Sequence, residues 1–389
     1  MSRTAPEVPE RTSIKYEAVS IADLPGWDQD DHLAAFAAFL KSCKPIQKKA
    51  LAEGAGSTIS PLLLEACKAA QKLAGPGLAN AVAKRFFEDG FIPHRVAHKG
   101  ADGLLTGYYE PILDGARKPG GQYTVPVYRR PPDLVNLVEE SQRGAVGQAY
   151  THMRKTASGT EVFPTRAMIE GGALAGQGLE FLWLTDPVET FMMHIQGSGR
   201  IRLPDGSMIR VTYDGKNGHP YTSVGRYLIE TKQFPADAMS LEAMKDWLKT
   251  DPDRGRSAMQ QNASFIFFRE LAGAEAESAL GVLDIPLTEG RSLAVDAGYH
   301  ALGLPVWVAA PELVHATRSG GFRRLMIAQD VGSAIKGPER GDLYFGSGDE
   351  AGQLAGVTKH SGNFFVLLPK ADAVAGGDRP EKSVRQAGR

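Results

Sequence analysis

Three aspartates in the C-terminal third of the chain border short apolar segments in an arrangement that suits acid–base chemistry. Asp296 and Asp330 each follow an apolar run, and Asp342 precedes one. The segment 331–337 between the last two begins and ends near glycines, so it could bring two strand-end carboxylates together. Carboxyl groups held close together push each other's pKa apart, and one of them can then stay protonated as a general acid. Aspartate is also a common turn residue, and the pattern alone leaves both interpretations open.

The sequence contains no motif of several common catalytic chemistries. There is no phosphate-binding P-loop and no Gly-x-Ser-x-Gly beside an apolar strand. His94 and His98 have i, i+4 spacing but lack the glutamate of a zinc-protease helix, which favours an unconnected surface pair. His194 falls in a segment that resembles a strand and His219 in a polar run, and we expect both to be structural or to line a substrate site. We therefore predict neither a metal site nor a cofactor.

The composition is that of a folded protein with one large domain or two ordinary ones. The chain has 389 residues, of which 42% are hydrophobic and 23% charged. Lys and Arg total 44 and Asp and Glu total 45, a formal net charge of −1 that argues against a nucleic-acid-binding protein. The 44 glycines and 24 prolines follow no period, which favours a turn-rich β component.

The elements that must position the aspartates follow an α+β order. Apolar spacing predicts helices within the first hundred residues: one from Leu33 to Cys43, one opening at Ser60, and one ending near Gly90. From Leu104 onward the pattern changes to short strands, and helical spacing returns at 223–229 and 240–248. The strands that we predict are 123–128, 180–184, a hairpin through 203–207, and then 292–295, 306–309, 325–328, 343–345 and 364–368. Helices followed by β segments argue against a doubly wound sheet.

The two cysteines and the terminal segments give information about the cellular compartment of the protein. Cys43 and Cys67 lie on the apolar faces of two neighbouring predicted helices. They are either two buried thiols or a disulfide, and a disulfide would imply an oxidising compartment. No run approaches the roughly 18 apolar residues that a membrane span needs. The N-terminus shows no signal peptide, which taken alone favours the cytoplasm. We expect residues 1–25 to be flexible and residues 371–389 to be a disordered tail.

Several motifs in order give the chain a family resemblance. The segments 292–296, 328–337 and 341–348 resemble the three-aspartate domain of the membrane-bound lytic murein transglycosylase A family. The segments 106–111, 163–166, 196–199 and 213–219 resemble motifs of the central part of that family. The resemblance runs from about Leu104 to Leu368, and several motifs in the expected order are more specific than any single one.

The resemblance implies a two-domain enzyme of mainly β structure with N-terminal helices. Residues 26–109 and 269–370 would form a double-psi β-barrel catalytic domain, and residues 110–268 an inserted β domain, with a groove between them for a glycan strand. Members of the family cleave the β-1,4 bond between N-acetylmuramic acid and N-acetylglucosamine in peptidoglycan. They do so without water, because the muramoyl C6 hydroxyl closes on C1 and leaves a 1,6-anhydro end.

The resemblance also assigns roles to individual residues. Asp342 corresponds to the single catalytic acid and base, Asp330 would raise the pKa of Asp342 or steady the transition state, and Asp296 would hold loop amides. The substrate-binding residues that we predict are Thr106, Tyr108, Tyr109, Glu110, Gln196, Gly197, Ser198, Gly199 and Lys336. At least one of the two tyrosines is expected in the core, and an exposed structural role is the alternative for Lys336.

The implied partners are peptidoglycan glycan strands, with cell-wall synthesis or hydrolase complexes as further candidates, and no nucleic acid. Such a substrate places the protein in the periplasm, with outer-membrane association typical of the family through a lipidated N-terminal cysteine. The first cysteine here, Cys43, lies inside a predicted helix, so the sequence predicts no lipid anchor. Two alternatives stay open: a hydrolytic muramidase that uses Asp330 and Asp342 as a pair, and a non-catalytic wall-binding protein.

Overall fold

The computed structural model describes residues 13–99, 103–137, 150–317 and 320–371. This part of the chain has the predicted α+β character, with three long helices near the N-terminus and sheets through most of the rest. The helices of the described ranges are α1 (His32–Glu53), α2 (Pro61–Leu73), α3 (Asn80–Gly90), α4 (Arg166–Met168), α5 (Pro187–Gln196), α6 (Val224–Glu230), α7 (Leu241–Thr250), α8 (Pro252–Met259) and α9 (Asp349–Val357). None of them is both long enough and apolar enough to cross a bilayer.

Strands of the described ranges fall into three sheets. Those before the middle of the chain are β1 (Ile14–Ala18), β2 (Phe91–His98), β3 (Leu104–Glu110), β4 (Ile112–Ala116), β5 (Val125–Tyr128), β6 (Leu134–Asn136), β7 (His152–Thr156), β8 (Gly159–Glu161) and β9 (Glu180–Leu184). Those after it are β10 (Ser198–Arg202), β11 (Met208–Lys216), β12 (Ile266–Leu271), β13 (Ser292–Val295), β14 (Pro305–Ala310), β15 (Phe322–Asp330), β16 (Arg340–Ser347), β17 (Lys359–Ser361) and β18 (Asn363–Pro369).

The large sheet brings the three aspartate segments side by side. Its described strands run in the order β1-β2-β18-β14-β15-β13-β16-β3-β17. At its centre β13 pairs parallel with β15 and antiparallel with β16, and β16 pairs parallel with β3. The strands that precede Asp296, end at Asp330 and contain Asp342 are therefore direct neighbours. Because these strands are paired on both sides, the backbone beside each carboxyl group is held rigidly.

The N-terminal helices cover this sheet through a phenylalanine cluster. Rings of α1, α3 and the start of β2 meet edge-to-face or tilted, with centroids 5.0 to 6.5 Å apart. The members of the cluster are Phe36, Phe39, Phe86, Phe87 and Phe91. Each fully buried ring of this kind stabilises the fold by about 2 to 3 kcal/mol relative to an exposed one. The helices thus form one side of the large sheet's core.

The two smaller sheets come from the middle of the chain. One contains six described strands in the order β12-β11-β10-β4-β9-β5, and the other contains β6-β7-β8. The chain leaves the large sheet after β3, enters the six-stranded sheet at β4, and leaves it again after β12. The predicted hairpin through 203–207 joins β10 to β11. Because only Pro111 separates β3 from β4, the six-stranded sheet begins directly beside the large sheet.

Two local predictions differ from the structure, and a third concerns residues that lie largely outside the described ranges. Residues 14–18, expected to be flexible, form edge strand β1, because they pair with β2 over a long sequence separation that no local pattern shows. His194 lies in helix α5, not in a strand; Asp186 caps this helix, and Pro187 occupies its first turn. Residues 1–12 and 372–389, with most of the predicted tail, lie outside the described residues.

The prediction of an unconnected surface pair of histidines does not hold for His98, which contacts a buried glutamate. His94 and His98 lie in strand β2, so their spacing puts them on one face of a sheet rather than of a helix. Nε2 of His98 lies 2.9 Å from Oε2 of the buried Glu339, which also accepts the backbone N–H of Phe364. His98 therefore helps hold the segment that leads into β16.

A disulfide joins the first two helices. Cys43 of α1 and Cys67 of α2 are bonded, with Cα atoms 5.2 Å apart, and both side chains are fully buried. Of the two alternatives that the sequence left open, the structure contains the disulfide.

Replacing both cysteines, Cys43→Ala with Cys67→Ala, is expected to lower the free energy of unfolding by about 3 kcal/mol, because the crosslink closes a loop in the unfolded chain. Denaturant titration with and without a thiol reductant measures the change. Reductant should destabilise the wild-type protein and leave the double variant unaffected. Equal unfolding midpoints for oxidised and reduced wild-type protein would contradict the disulfide.

Candidate active site

A cavity of about 440 Å³ is lined by residues of both the large and the six-stranded sheet. The large sheet contributes Tyr108 of β3, Asp330 at the end of β15 and Asp342 of β16. The inserted region contributes the end of α5 and the end of β11. Two of the three predicted catalytic aspartates therefore share one cavity.

Rigid strands on both sides position Asp342. Its backbone pairs with Ala294 of β13 and with Thr106 of β3. The Thr106 hydroxyl donates to Asp342 Oδ1 over 2.5 Å, and Arg340 Nη2 donates to Thr106 Oγ1 over 2.7 Å. Thr106 itself does not line the cavity, so its predicted substrate contact is replaced by this bond to Asp342. A carboxyl group supported in this way keeps its orientation when a ligand enters.

Burial changes the acidity of Asp342. Removal from water raises the pKa of its carboxyl group from 3.8 to about 6, although the charge of Arg340 and the Thr106 hydrogen bond lower it. Burial, and not the predicted repulsion by Asp330, is thus the main cause of the increase. A carboxylic acid with a pKa near 6 can donate a proton and take one back close to neutral pH.

Two backbone amides bind the carboxyl group of Asp330 beside this acid. Its Oδ1 accepts the backbone N–H groups of Val331 at 2.9 Å and Val282 at 3.2 Å. Hydrogen bonds from two amides stabilise the negative charge of a carboxylate. Burial, followed by the charges of Asp330 and Asp342, holds the pKa of Tyr108 well above its usual value, so this phenol stays protonated. The two carboxyl groups therefore have different environments, which suits different roles.

Asp296 supports the site from outside the cavity. It is buried directly after β13 and does not line the cavity. Its Oδ1 accepts the N–H of Gly298 and its Oδ2 accepts the N–H of Gly337, both at 3.0 Å. Gly337 belongs to the loop that joins β15 to β16. Asp296 thus fixes the connection between the strands of Asp330 and Asp342, in agreement with the expected structural role.

The end of α5 forms part of the opposite wall. Gln196, Gly197 and Ser198, three of the predicted substrate-binding residues, line the cavity. Gly197 ends the helix with φ of 79°, a left-handed conformation that glycine adopts without strain. Gly199 does not line the cavity, and a side chain there would lie 2.6 Å from the sulfur of Met193 in the core.

Three further predicted substrate contacts lie away from the cavity. Tyr109 is buried against Gly352 of α9, in agreement with the expectation that one of the two tyrosines belongs to the core. Glu110 is fully buried: Arg210 Nε lies 2.7 Å from its Oε1, and the Ser347 hydroxyl donates to its Oε2. Lys336 is exposed on the β15–β16 loop and does not line the cavity. Tyr109 and Glu110 are thus buried outside the cavity, and Lys336 lies on its loop at the surface.

Basic residues of the inserted region line the cavity and escaped the sequence-based prediction. Lys216, at the end of β11, has its Nζ 3.4 Å from Ser333 Oγ on the β15–β16 loop. Arg166 is buried, donates to the carbonyl oxygens of Asn262 and Ser264, and forms an ion pair with Glu170. Both lie in segments that the family resemblance had singled out, 163–166 and 213–219. Only their three-dimensional placement shows which side chains of those segments reach the cavity.

A turn with unusual backbone angles completes the lining. Leu283 and Asp284 have φ of 62° and 56°, a left-handed conformation that costs non-glycine residues about 1 to 2 kcal/mol each. The preceding Val282 donates its N–H to Asp330, and Asp284 accepts a hydrogen bond from Arg269. The surrounding contacts therefore hold a strained turn against the carboxylate of Asp330.

The comparisons with known proteins agree with this architecture. Residues 104–269 match the model of the MltA specific insert domain, and residues 291–368 match that of the 3D domain. The chain therefore belongs to a class of proteins that combine these two domains.

Relatives and solved structures identify the family. A crystal structure of a membrane-bound lytic murein transglycosylase from Agrobacterium tumefaciens is 35% identical; the alignment covers 93% of this chain and 99% of that chain, with a TM-score of 0.79. Proteins named membrane-bound lytic murein transglycosylase A from Vibrio cholerae and Escherichia coli are 34% and 33% identical. Those alignments cover 68% and 69% of this chain and 65% and 67% of the relatives, so the match spans about two thirds of their length. The chain belongs to the membrane-bound lytic murein transglycosylase A family.

Because the pKa of Asp342 is raised in the folded protein, we expect the free energy of unfolding to depend on pH. Because the folded protein binds this proton more tightly than the unfolded chain, the stability contributed by protonated Asp342 is present below about pH 4 and lost as pH rises through about 6. Relative to Asp342→Asn, the wild-type protein should therefore lose up to about 2 kcal/mol across this interval. Urea denaturation at closely spaced pH values measures the difference.

The exposed Asp237 supplies the control for this titration. Asp237→Asn should follow the wild-type stability profile between pH 4 and pH 7. A constant stability difference between wild type and Asp342→Asn across the interval would show that the pKa of Asp342 is not raised.

Proposed function

We propose that this protein is a lytic transglycosylase of peptidoglycan, which cleaves the β-1,4 bond between N-acetylmuramic acid and N-acetylglucosamine. The observation that carries the proposal is Asp342, a carboxylic acid with a pKa raised to about 6 that lines the cavity between the two larger sheets. An acid of this strength suits protonation of a glycosidic oxygen. Its place in a family whose relatives bear the name lytic murein transglycosylase supplies the substrate class.

In the proposed reaction Asp342 acts first as an acid and then as a base. The protonated carboxyl group donates its proton to the glycosidic oxygen, and the bond from that oxygen to the muramoyl C1 breaks. The muramoyl C6 hydroxyl attacks C1 and gives its proton to the carboxylate of Asp342, which regenerates the acid. The products are a free N-acetylglucosamine hydroxyl and a 1,6-anhydromuramoyl end, and no water is consumed.

Asp330 complements this cycle as a fixed negative charge. The amide donors of Val282 and Val331 stabilise its carboxylate, which lines the same cavity. A fixed anion near the sugar stabilises the positive charge that develops on an oxocarbenium-like transition state. Because the nucleophile belongs to the substrate, one acid–base group can serve both proton transfers once the ring is held with O6 facing C1.

We also propose the domain assignment that the resemblance implies. Residues 26–109 and 269–370 would form the catalytic domain with a double-psi β-barrel, and residues 110–268 the inserted domain. The separate sheets support this division: strands β2, β3 and β13 to β18 form the large sheet with edge strand β1, whereas β4 and β9 to β12 belong to the six-stranded one.

We infer a periplasmic location from the proposed substrate, because murein lies outside the cytoplasmic membrane. The Cys43–Cys67 disulfide supports it, since disulfides persist mainly in oxidising compartments. The names of the relatives, membrane-bound enzymes, are consistent with attachment to a membrane.

The hydrolytic muramidase is the second candidate, because Asp330 and Asp342 line one cavity. In that reaction one carboxylate would activate a water molecule, and the product would carry a reducing end. A non-catalytic wall-binding protein is less compatible with the site, since binding a sugar strand does not require an acid with a raised pKa.

Asp342→Asn is expected to slow the lysis of purified sacculi by a factor of about 100 to 10,000, the usual contribution of a general acid–base group. Binding to sacculi should persist, because the amide retains the shape of the carboxyl group. Wild-type fragments analysed by mass spectrometry should be one water lighter at the muramoyl end than hydrolysis products. Lysis by Asp342→Asn at the wild-type rate, or wild-type fragments with reducing muramoyl ends, would refute the proposal.

A further inference from the structure

We propose that His194 donates a hydrogen bond from its Nε2 to the acetamido carbonyl oxygen of a sugar bound in the cavity. This inference rests on the proposed function and adds to it a subsite on the wall that the inserted region contributes. The subsite would favour strands whose sugars are N-acetylated, a preference that acid–base chemistry at Asp342 does not itself impose.

The contacts of Nδ1 fix the tautomer of the His194 ring. Arg166 Nη2 lies 3.3 Å from Nδ1, and the backbone nitrogen of Ile266 lies 3.4 Å from it. A guanidinium and a peptide N–H can only donate, so Nδ1 accepts and carries no proton. Burial, followed by the charge of Arg166, holds the pKa of His194 well below its usual value. The ring is therefore neutral near neutral pH and carries its single proton on Nε2.

The surroundings of the ring leave one edge for the cavity. The rings of Phe265 and Phe268 pack against His194, with centroids 4.5 Å and 5.3 Å away. His194 nevertheless lines the cavity and is 5% exposed. Its Nε2 has no hydrogen-bond partner in the described part of the chain, yet this atom is not completely buried. The N–H donor of a fixed ring thus reaches the cavity surface, where a ligand can accept its hydrogen bond.

The lining around His194 matches the chemistry of an acetamido group. Ile195 follows His194 in the sequence, Ile266 bonds to its ring, and both line the cavity together with Tyr221. Ile195 is 36% exposed, so its apolar side chain is accessible to a ligand. Small-molecule sites combine apolar surface with a few placed polar groups. An acetamido group offers the complement, a methyl group beside a neutral carbonyl acceptor, to this apolar wall and its neutral donor.

The subsite would discriminate against strands that have lost acetyl groups. Both sugars of the proposed substrate carry an acetamido group at C2, so either can present its carbonyl oxygen to His194. A sugar without the acetyl group has an ammonium group at the same position. Two donors would then face each other, and the Nε2–H of His194 would lose its acceptor. Affinity for such strands would therefore be lower by at least one hydrogen bond.

The experiment measures binding in an Asp342→Asn background, which suppresses turnover. Two uncharged β-1,4-linked oligomers of equal length serve as probes in calorimetric titrations: one of N-acetylglucosamine, and one of glucose, which has a hydroxyl group at C2. Adding His194→Asn should weaken binding of the N-acetylglucosamine oligomer about three- to tenfold, the loss expected for one neutral hydrogen bond. Binding of the glucose oligomer should change by less than about twofold, because it has no acetamido group to lose.

Matched variants separate the donor on Nε2 from the acceptor on Nδ1. The amide oxygen of His194→Asn can take the place of Nδ1 and accept from Arg166 and Ile266, but no donor replaces Nε2–H. His194→Gln puts an amide donor near the position of Nε2 and should restore the preference for the N-acetylated oligomer. His94→Asn, in strand β2 and outside the cavity lining, should leave both affinities unchanged. Retention of the preference in His194→Asn, its absence in His194→Gln, or equal loss on both oligomers would overturn the subsite.

A crystal structure of the parent Asp342→Asn protein with the N-acetylglucosamine oligomer tests the inference if the His194 variants do not fold. We expect an acetamido oxygen within about 3.2 Å of His194 Nε2. A sugar hydroxyl or a water molecule at that position, or a parent that binds neither oligomer, would overturn the subsite. Failure of the proposed function is recognised separately, because it would appear as missing anhydro ends in the products of the wild-type protein.

Discussion

The burial of one carboxyl group in the middle of a rigid sheet is the constraint on which the site depends. Asp342 belongs to a strand paired on both sides, so its side chain cannot move away from the low-dielectric surroundings that raise its pKa. The Thr106 hydroxyl and Arg340 limit this rise by stabilising the ionised form. The balance leaves a group that exchanges protons near neutral pH, which an exposed aspartate does not.

Buried polar contacts between the large and the six-stranded sheet determine where the second wall of the cavity lies. Glu110, at the end of β3, binds Arg210 of β11 and Ser347 of β16, and so ties the inserted region to the strand of Asp342. Gln196 of α5 accepts the amide N–H of Tyr109 in β3. Such contacts add little net stability, but breaking one leaves a buried group without its partner. They therefore fix the distance between the aspartates and the basic residues that face them.

The sequence predicted what depends on local pattern and motif. Strands 180–184 and 292–295 were predicted residue for residue, and so was the hairpin at 203–207, because alternation and turn residues mark them. The sequence did not show contacts between residues that are distant in the chain. Examples are the pairing of β1 with β2 and the ion pair of Glu110 with Arg210. Motifs located Asp330, Asp342 and Gln196 in the cavity, yet they could not show that Gly199 faces Met193 or that Lys216, and not Lys336, lines the cavity. Burial of a polar side chain is decided by the whole fold.

We propose above all that Asp342 alone donates the proton to the glycosidic oxygen and accepts the proton of the muramoyl C6 hydroxyl. A crystal structure of Asp342→Asn with a muramoyl-containing glycan tests it most directly. The account predicts that the amide side chain of this variant lies about 3 Å from the oxygen of the scissile bond, with the muramoyl O6 facing C1. An ordered water on the far face of C1 in contact with Asp330, or a scissile bond beyond the reach of the substituted side chain, would contradict the claim.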